Sequence, residues 1–516
     1  MRLHLPKISI YHQRFATVVL LGMSFALSRV VFWHMGVRYD SSSLDCFWQY
    51  LDLDVLRHRL LPGIFHLHSQ PPAFNLFLGT VLKLSPDSPS TCFHLVYMAL
   101  GFLLYCSLFY FLRLARFSRF TAFLCAFVFI ISPNSILYEN WLFYTYPVAV
   151  LLALAALALR QFEKFHTTRS AVVFLVLLML VCLTRSAFHL LYLLVATGFV
   201  LIPPSGSRRR ICVYALAVVS VVLGLYLRTF CLFGCFGPSS WGGMNLAKLA
   251  QHSIGTNTIS RMVSSGQVPE IAQMAPFQHI EKYPEYLRAQ APDCPELPEL
   301  SAQEKASGHP NFNHPAYIPV SRAYWNASVL MIRHNFRYYL SGVFDSWMIY
   351  CAPSWHYVFL KSNRSALSDY IAFLSAWRMR VWIDVQPLKS AMFGVSAPPI
   401  LIPLTGLLIP LILLTATVTS AVIAAGAFFQ RRTVSLSYVF MTYTVLYVAI
   451  LGNAVEWGEN NRFRVMTDPL IFLLTVLSCR MVFRQAVRML RRSRCQQSPS
   501  PYPEGRADAP FGSGEA

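Results

Sequence analysis

Four short stretches of this chain crowd together groups that do chemistry. The first runs from Asp40 and Asp45 through Asp52 and Asp54 to "HLHSQPP" at 66–72. The second is "PNSILYENW", with Glu139 and Asn140, and the third is Arg185 within "LTRS". The fourth, "EWGENNRFRVMTDP", carries Glu456, Glu459, Arg462 and Arg464. A carboxylate partly removed from water has a raised pKa and can take the proton of an acceptor hydroxyl. Arginine binds phosphate bidentately and stabilises it as a leaving group. Together these groups suit transfer from a phosphorylated donor to an alcohol.

Each group also has a plainer use. An acid just past a helix often only caps the next one, and for Asp52 and Asp54 that use is the stronger one. Arg185 could snorkel to a membrane surface, and Arg462 and Arg464 could pair with Glu456 and Glu459. His66 and His68 stand two apart and cannot share a helical face. In an extended segment they would align, which keeps a metal open as the minor alternative. His68 and Gln70 read as hydrogen-bonding groups at the rim of a donor pocket, set by Pro71 and Pro72 at a helix start.

The elements that must position these residues are membrane helices. Hydrophobic residues make up 55% of the 516 and charged residues only 13%, too little polar surface to cover a soluble globule. Apolar runs at 15–36, 92–112, 120–137, 143–159, 211–230, 398–429, 434–452 and 467–483 are long enough to cross a bilayer. The stretch 170–203, interrupted by Thr184, Arg185 and Ser186, reads as two short helices joined by a tight turn. About ten spans follow. The net charge of +20 would suit a nucleic-acid binder, but its placement excludes that reading. Lys and Arg collect at the N-terminus, at 113–119, 160–169, 207–210 and 430–432 and in the tail, which are every second connection. The positive-inside rule puts these in the cytoplasm. All four chemical stretches then face the other side.

The resulting expectation is an all-α integral membrane protein. Its parts are a core at 1–230 with seven spans, a mixed soluble outer loop at 231–397, three spans at 398–485, and a basic, then disordered tail at 486–516. Two interfacial helices, near 44–60 and 73–84, belong to the first outer loop at 37–91. A helical piece is expected at 321–350.

The order of "HSQPPAFNLFLGTVLKL", "YENWLFYTYP" and "ENNRFRVMTDPLIFLL" resembles the GT-C superfamily of polytopic glycosyltransferases. The likeness is to its branch of protein O-mannosyltransferases, aminoarabinose transferases and lipopolysaccharide-core galacturonosyltransferases, and it covers 1–235 and 398–485. The resemblance implies a polyprenyl-phosphate sugar as donor and inversion at the sugar. It also implies a base just after the first span, here Asp45 or Asp40, although the family's usual acidic pair is absent. By the same analogy the "HSQPP" segment shapes the sugar pocket. Glu139, with Asn140 beside it, supports the site or a divalent ion, and Arg185 with Arg462 or Arg464 holds the donor phosphate. No organic cofactor is implied. The acceptor, a lipid, glycan or protein outside the cytoplasm, would be chosen by 231–397, and a bacterial inner membrane would house the enzyme. Two other classes stay in view. A lipid or glycan flippase would place ionisable residues along a path inside the spans, and an envelope-assembly scaffold would tolerate loss of either aspartate.

Overall fold

A computed structural model describes residues 8–202, 206–293, 297–378, 382–395, 401–403, 406, 408–430 and 435–497. The fold starts with α1 (Ile8–His34), a long apolar helix with no acidic residue in its first turn. After the first polar loop come α2 (Ala73–Leu84), as the Pro-Pro start predicts, and α3 (Pro89–Leu114). The next run is broken. α4 (Arg119–Ile130) and α5 (Pro133–Glu139) are bent by 60° at a gap where Ser132 caps the new helix and Pro133 opens it. Then follow α6 (Thr145–Phe165), the short pair α7 (Thr168–Thr184) and α8 (Leu190–Leu201), and α9 (Arg208–Phe233).

Described residues between Trp241 and Ile332 gather around a second apolar core, whereas Leu297, Leu300, Trp355, Tyr357 and Leu360 belong to the main core. α10 (Gly242–Ile254) packs on α11 (Tyr317–His334), and α12 (Phe336–Cys351) follows after a break at Asn335. The expected helix at 321–350 is therefore two helices. The second core is rich in aromatic residues, with Trp241, Tyr283, Phe312, Tyr317 and Tyr324. A two-stranded antiparallel pair, β1 (Trp382–Asp384) with β2 (Leu401–Pro403), follows later in the chain. α13 (Leu408–Gln430), α14 (Leu436–Val455) and α15 (Asn460–Gln497) end the described chain. The basic part of the tail continues α15, and the stretch expected to be disordered lies, from 498, outside the described residues.

Among the described residues six helices are long and apolar enough to cross a membrane: α1, α3, α6, α9, α14 and α15, or seven with α4 and α5 taken as one bent span. The difference from ten lies in α7, α8 and the part of α13 at Leu408–Val422, all shorter apolar helices. At 1.5 Å per residue the 12 residues of α8 extend about 18 Å, short of a bilayer core of about 30 Å. α6 lies at the centre, against α3, α7, α14 and α15. Its buried Ala149, Ala153, Ala155, Ala156 and Ala158 let neighbouring backbones approach closely.

The first loop, 37–91, departs from expectation at 44–60. Short turns Ser43–Cys46, Leu53–His58 and Leu60–His66 replace one interfacial helix. Side chains from elsewhere claim the backbone between them. Lys305 Nζ donates to Phe47 O at 2.6 Å, Asn313 Nδ2 to Tyr50 O at 2.8 Å, and Leu51 N donates to Asn75 Oδ1 at 2.8 Å. Those bonds replace the helical ladder. Asp52, as its plainer reading had it, caps the next turn by accepting from Asp54 N at 2.8 Å.

α10 meets α11 at Gly243, where an added Cβ would lie 1.8 Å from Ser321 O. Ser321 Oγ accepts from Gly243 N there at 3.2 Å. Gly243→Ala is expected to destabilise the protein by about 1–3 kcal/mol, because backbone blocks the new methyl. Thermal unfolding in detergent checks it.

Candidate active site

The α7–α8 turn carries Arg185, which is buried. Its guanidinium lies 4.9 Å from the Tyr144 ring and 4.8 Å from the Phe463 ring, and its Nη1 donates to Tyr144 Oη. Arg462 Nη1 donates to the same oxygen at 3.2 Å from the first turn of α15. One phenol thus holds two guanidiniums together. Arg462 also forms an ion pair with Glu459, whose other oxygen accepts from Tyr357 Oη at 2.9 Å. Burial alone would raise the Glu459 carboxyl, but Arg462 and then Lys248 outweigh it and hold it at about 2.

Arg185, Arg462 and Glu459 face a small polar cavity of about 60 Å³, lined also by Gln49, Gln70, Lys248 and Glu456. Three cations face two carboxylates. Lys248 Nζ donates to Glu456 Oε1 at 2.9 Å and Arg462 has Glu459, so Arg185 is the cation without a carboxylate partner among the described residues. The Nε–H groups of Arg185 and Arg462, Gln49 Oε1 and Trp241 Nε1 are buried without a hydrogen-bond partner. Each unpaired group of this kind costs about 1–3 kcal/mol, so the three N–H donors point to an anion and Gln49 Oε1 to a donor such as a hydroxyl on the same ligand. A larger apolar groove of about 230 Å³ shares Arg185, Ser186, Asn245 and Glu456 with it and adds Ala187, Trp325, Leu451, Val455 and Phe463. The groove in turn shares His189, Ser239 and Trp325 with a cleft of about 350 Å³.

Of the sequence candidates, Gln70, Arg185 and Arg462 meet at this cavity. Gln70 Oε1 accepts from Ser186 Oγ at 3.3 Å. Arg464 does not join them. Two positions along a helix from Arg462, it points to another side, where it donates to Tyr350 O at 2.6 Å, Ala352 O at 2.9 Å and Ser354 Oγ at 2.7 Å and pairs with Asp468 at 3.2 Å. It ties α15 to the end of α12. Asp40 accepts from Ser42 N at 2.9 Å and Ser42 Oγ at 2.6 Å, and Asp45 is exposed. Neither aspartate lines the cavity. Glu139 is buried and takes both Arg29, with Nε at 2.8 Å, and Tyr146 Oη at 2.9 Å, while Asn140 Nδ2 donates to Ile136 O at 2.9 Å. Among the described residues no three His, Cys, Asp or Glu cluster as metal ligands.

His68 is buried and joins the first loop to Ser240 and Asn313. Its Nε2–H donates to Asn313 O at 2.9 Å and its Nδ1 accepts from Ser240 Oγ at 2.7 Å. Burial lowers its pKa to about 4. A histidine with pKa 4 folded and 6.5 unfolded binds more protons when unfolded, so its contribution is complete above pH 6.5 and is lost as pH falls toward 4. The loss is about 3 kcal/mol. His68→Gln should flatten the fall of melting temperature between those pH values, measured in detergent.

Tyr144 and Lys248 escape sequence reading. Tyr144 stands among other aromatic residues in "NWLFYTYP", and Lys248 shares the polar face of α10 with Asn245, Gln251 and His252, where a lysine reads as an ordinary solvated residue. Glu456 and Glu459 stand in the sequence among the candidate carboxylates and as partners for Arg462 and Arg464, with no role of their own assigned. Comparison with protein-family models, with curated proteins and with solved structures finds no match for this chain.

Proposed function

We propose that this chain is a membrane glycosyltransferase of GT-C type that moves a sugar from a polyprenyl-phosphate donor to an acceptor outside the cytoplasm, with inversion. One observation carries the reading: Arg185, a buried guanidinium with no carboxylate ion pair among the described residues, lies where a polar cavity meets an apolar groove. A lipid phosphodiester has the matching parts, one negative charge at the head and a hydrocarbon tail. Arg185 and Arg462 would hold the phosphate, Gln70 and Gln49 the sugar, and the groove beside Leu451, Val455 and Phe463 the first tail units. The reading includes ten crossings, with α7 and α8 as short ones and α13 among them, and the site on the periplasmic side of a bacterial inner membrane. The segment 231–397 would choose the acceptor. Asp40 and Asp45 lie off the cavity.

The flippase reading draws on Arg29 and Glu139, an ion pair buried between spans. Arg29 also lines a cleft of about 490 Å³, but the pair is held in place by Tyr146 Oη, Ser28 Oγ and Ile130 O, which suits a fixed strut better than a transport path. Purified protein in nanodiscs is expected to bind a short-chain polyprenyl monophosphate and to release it from a polyprenyl-phosphate hexose. Protein that uses only a nucleotide sugar would refute the donor assignment.

A further inference from the structure

We propose that Glu456 is the general base of this transfer, taking the proton of the acceptor hydroxyl as the lipid phosphate departs. The inference rests on the donor reading above and deepens it. Two carboxylates face the cavity, and their surroundings separate their roles. Glu459 has both oxygens engaged, one by Arg462 and one by Tyr357 Oη. Glu456 is engaged on one side only, since Lys248 Nζ at 2.9 Å and Trp457 N at 3.2 Å both donate to Oε1. Its Oε2 receives no hydrogen bond among the described residues. Glu456 also lines both the polar cavity and the apolar groove, at the junction where a headgroup would end and a tail begin. Its backbone is fixed from α12, where Ser346 Oγ donates to Glu456 O at 3.1 Å.

The charges around it fit the reaction at both ends. Lys248 on α10, Glu459 and Arg462 at the start of α15, and Arg185 on the α7–α8 turn are the charged groups facing Glu456. Beyond them, on α10 and α12, His252 stacks on Trp457 at 3.8 Å and approaches Asp345 at 3.7 Å, with Asp345 also held by Lys389. Before transfer, the Lys248–Glu456 and Arg462–Glu459 pairs are neutral and Arg185 balances the single charge of a phosphodiester. In the step, the acceptor oxygen bonds to the anomeric carbon and its proton goes to Glu456 Oε2. The bond from that carbon to the phosphate oxygen breaks, and the electron pair stays on the phosphate. The leaving monoester is then a dianion, and Lys248, freed by protonation of Glu456, supplies the second balancing charge. The cluster stays neutral throughout. Burial, moderated by Lys248 and reinforced by Glu459, keeps the Glu456 carboxyl above the usual range, as a base needs.

The product complex can be tested without knowing sugar or acceptor. Calorimetry at pH 8, where a phosphate monoester with a second pKa of about 6 is already dianionic, would follow short-chain polyprenyl monophosphate binding in two buffers of different ionisation enthalpy. Wild type should take up about one proton on binding. Glu456→Gln, which mimics the protonated acid, should take up none and bind roughly tenfold more tightly. Glu456→Asp should keep the uptake, and matched melting temperatures would show that the variants fold. Binding by wild type without proton uptake, at the same affinity as Glu456→Gln, overturns the base assignment and leaves the donor reading standing. No binding by any of them overturns both.

Discussion

Replacing Arg185 by glutamine is expected to lower transfer by about 10²–10³-fold, the usual loss when a preorganised donor to developing charge is removed. Glutamine keeps a donor for Tyr144 but removes the cation that has no carboxylate of its own among the described residues. Both a weaker ground state and a weaker transition state should follow, so KM for the donor rises and kcat falls. Lysine should rescue only in part, because it loses the fork that meets two phosphate oxygens and the stacking on Tyr144 and Phe463. Stability should move the other way. A buried charge without a carboxylate partner costs desolvation, so Arg185→Gln should melt no lower than wild type. Loss of activity with lowered stability would instead mark Arg185 as a structural strut.

Glu139→Gln carries the largest expected effect on folding, about 3–5 kcal/mol, since it leaves the Arg29 charge buried between spans without its counterion. The Glu139 carboxylate also presses against Gly101, where an added Cβ would lie 2.2 Å from Oε2, so the strut has little room to relax. Adding Arg29→Met to Glu139→Gln should recover most of the loss, because the unpaired charge is then gone as well. Thermal unfolding of the two singles and the double measures the coupling. If Glu139 contacts a substrate or metal, the single variant melts like wild type and loses activity.

Much of the fold was legible because apolar runs and basic connections obey simple rules. The break at Arg185 between α7 and α8 and the start of α2 at Pro71 and Pro72 could be read from residue type alone. Gln70, Arg185 and Arg462 come from three separate connecting segments and lie on one cavity. What escaped depends on contacts between distant residues. The helix expected at 44–60 has the right spacing, but Lys305, Asn313 and Asn75 claim its backbone. Arg462 and Arg464 look alike in sequence, and only the direction each takes from α15 separates a cavity residue from a helix tie. Lys248 gains meaning only from Glu456, 208 positions away.

The most direct measurement of the central claim is sugar transfer by the purified protein in nanodiscs. Polyprenyl-phosphate sugars and nucleotide sugars would be offered in turn with an extract of envelope lipids, glycans and proteins, and acceptors examined by mass spectrometry. A single-sugar mass gain is expected with a lipid-linked donor, absent with nucleotide sugars and reduced about 10²–10³-fold in Arg185→Gln. A gain from nucleotide sugars alone, or an equal gain from the Arg185→Gln protein, would contradict the central claim.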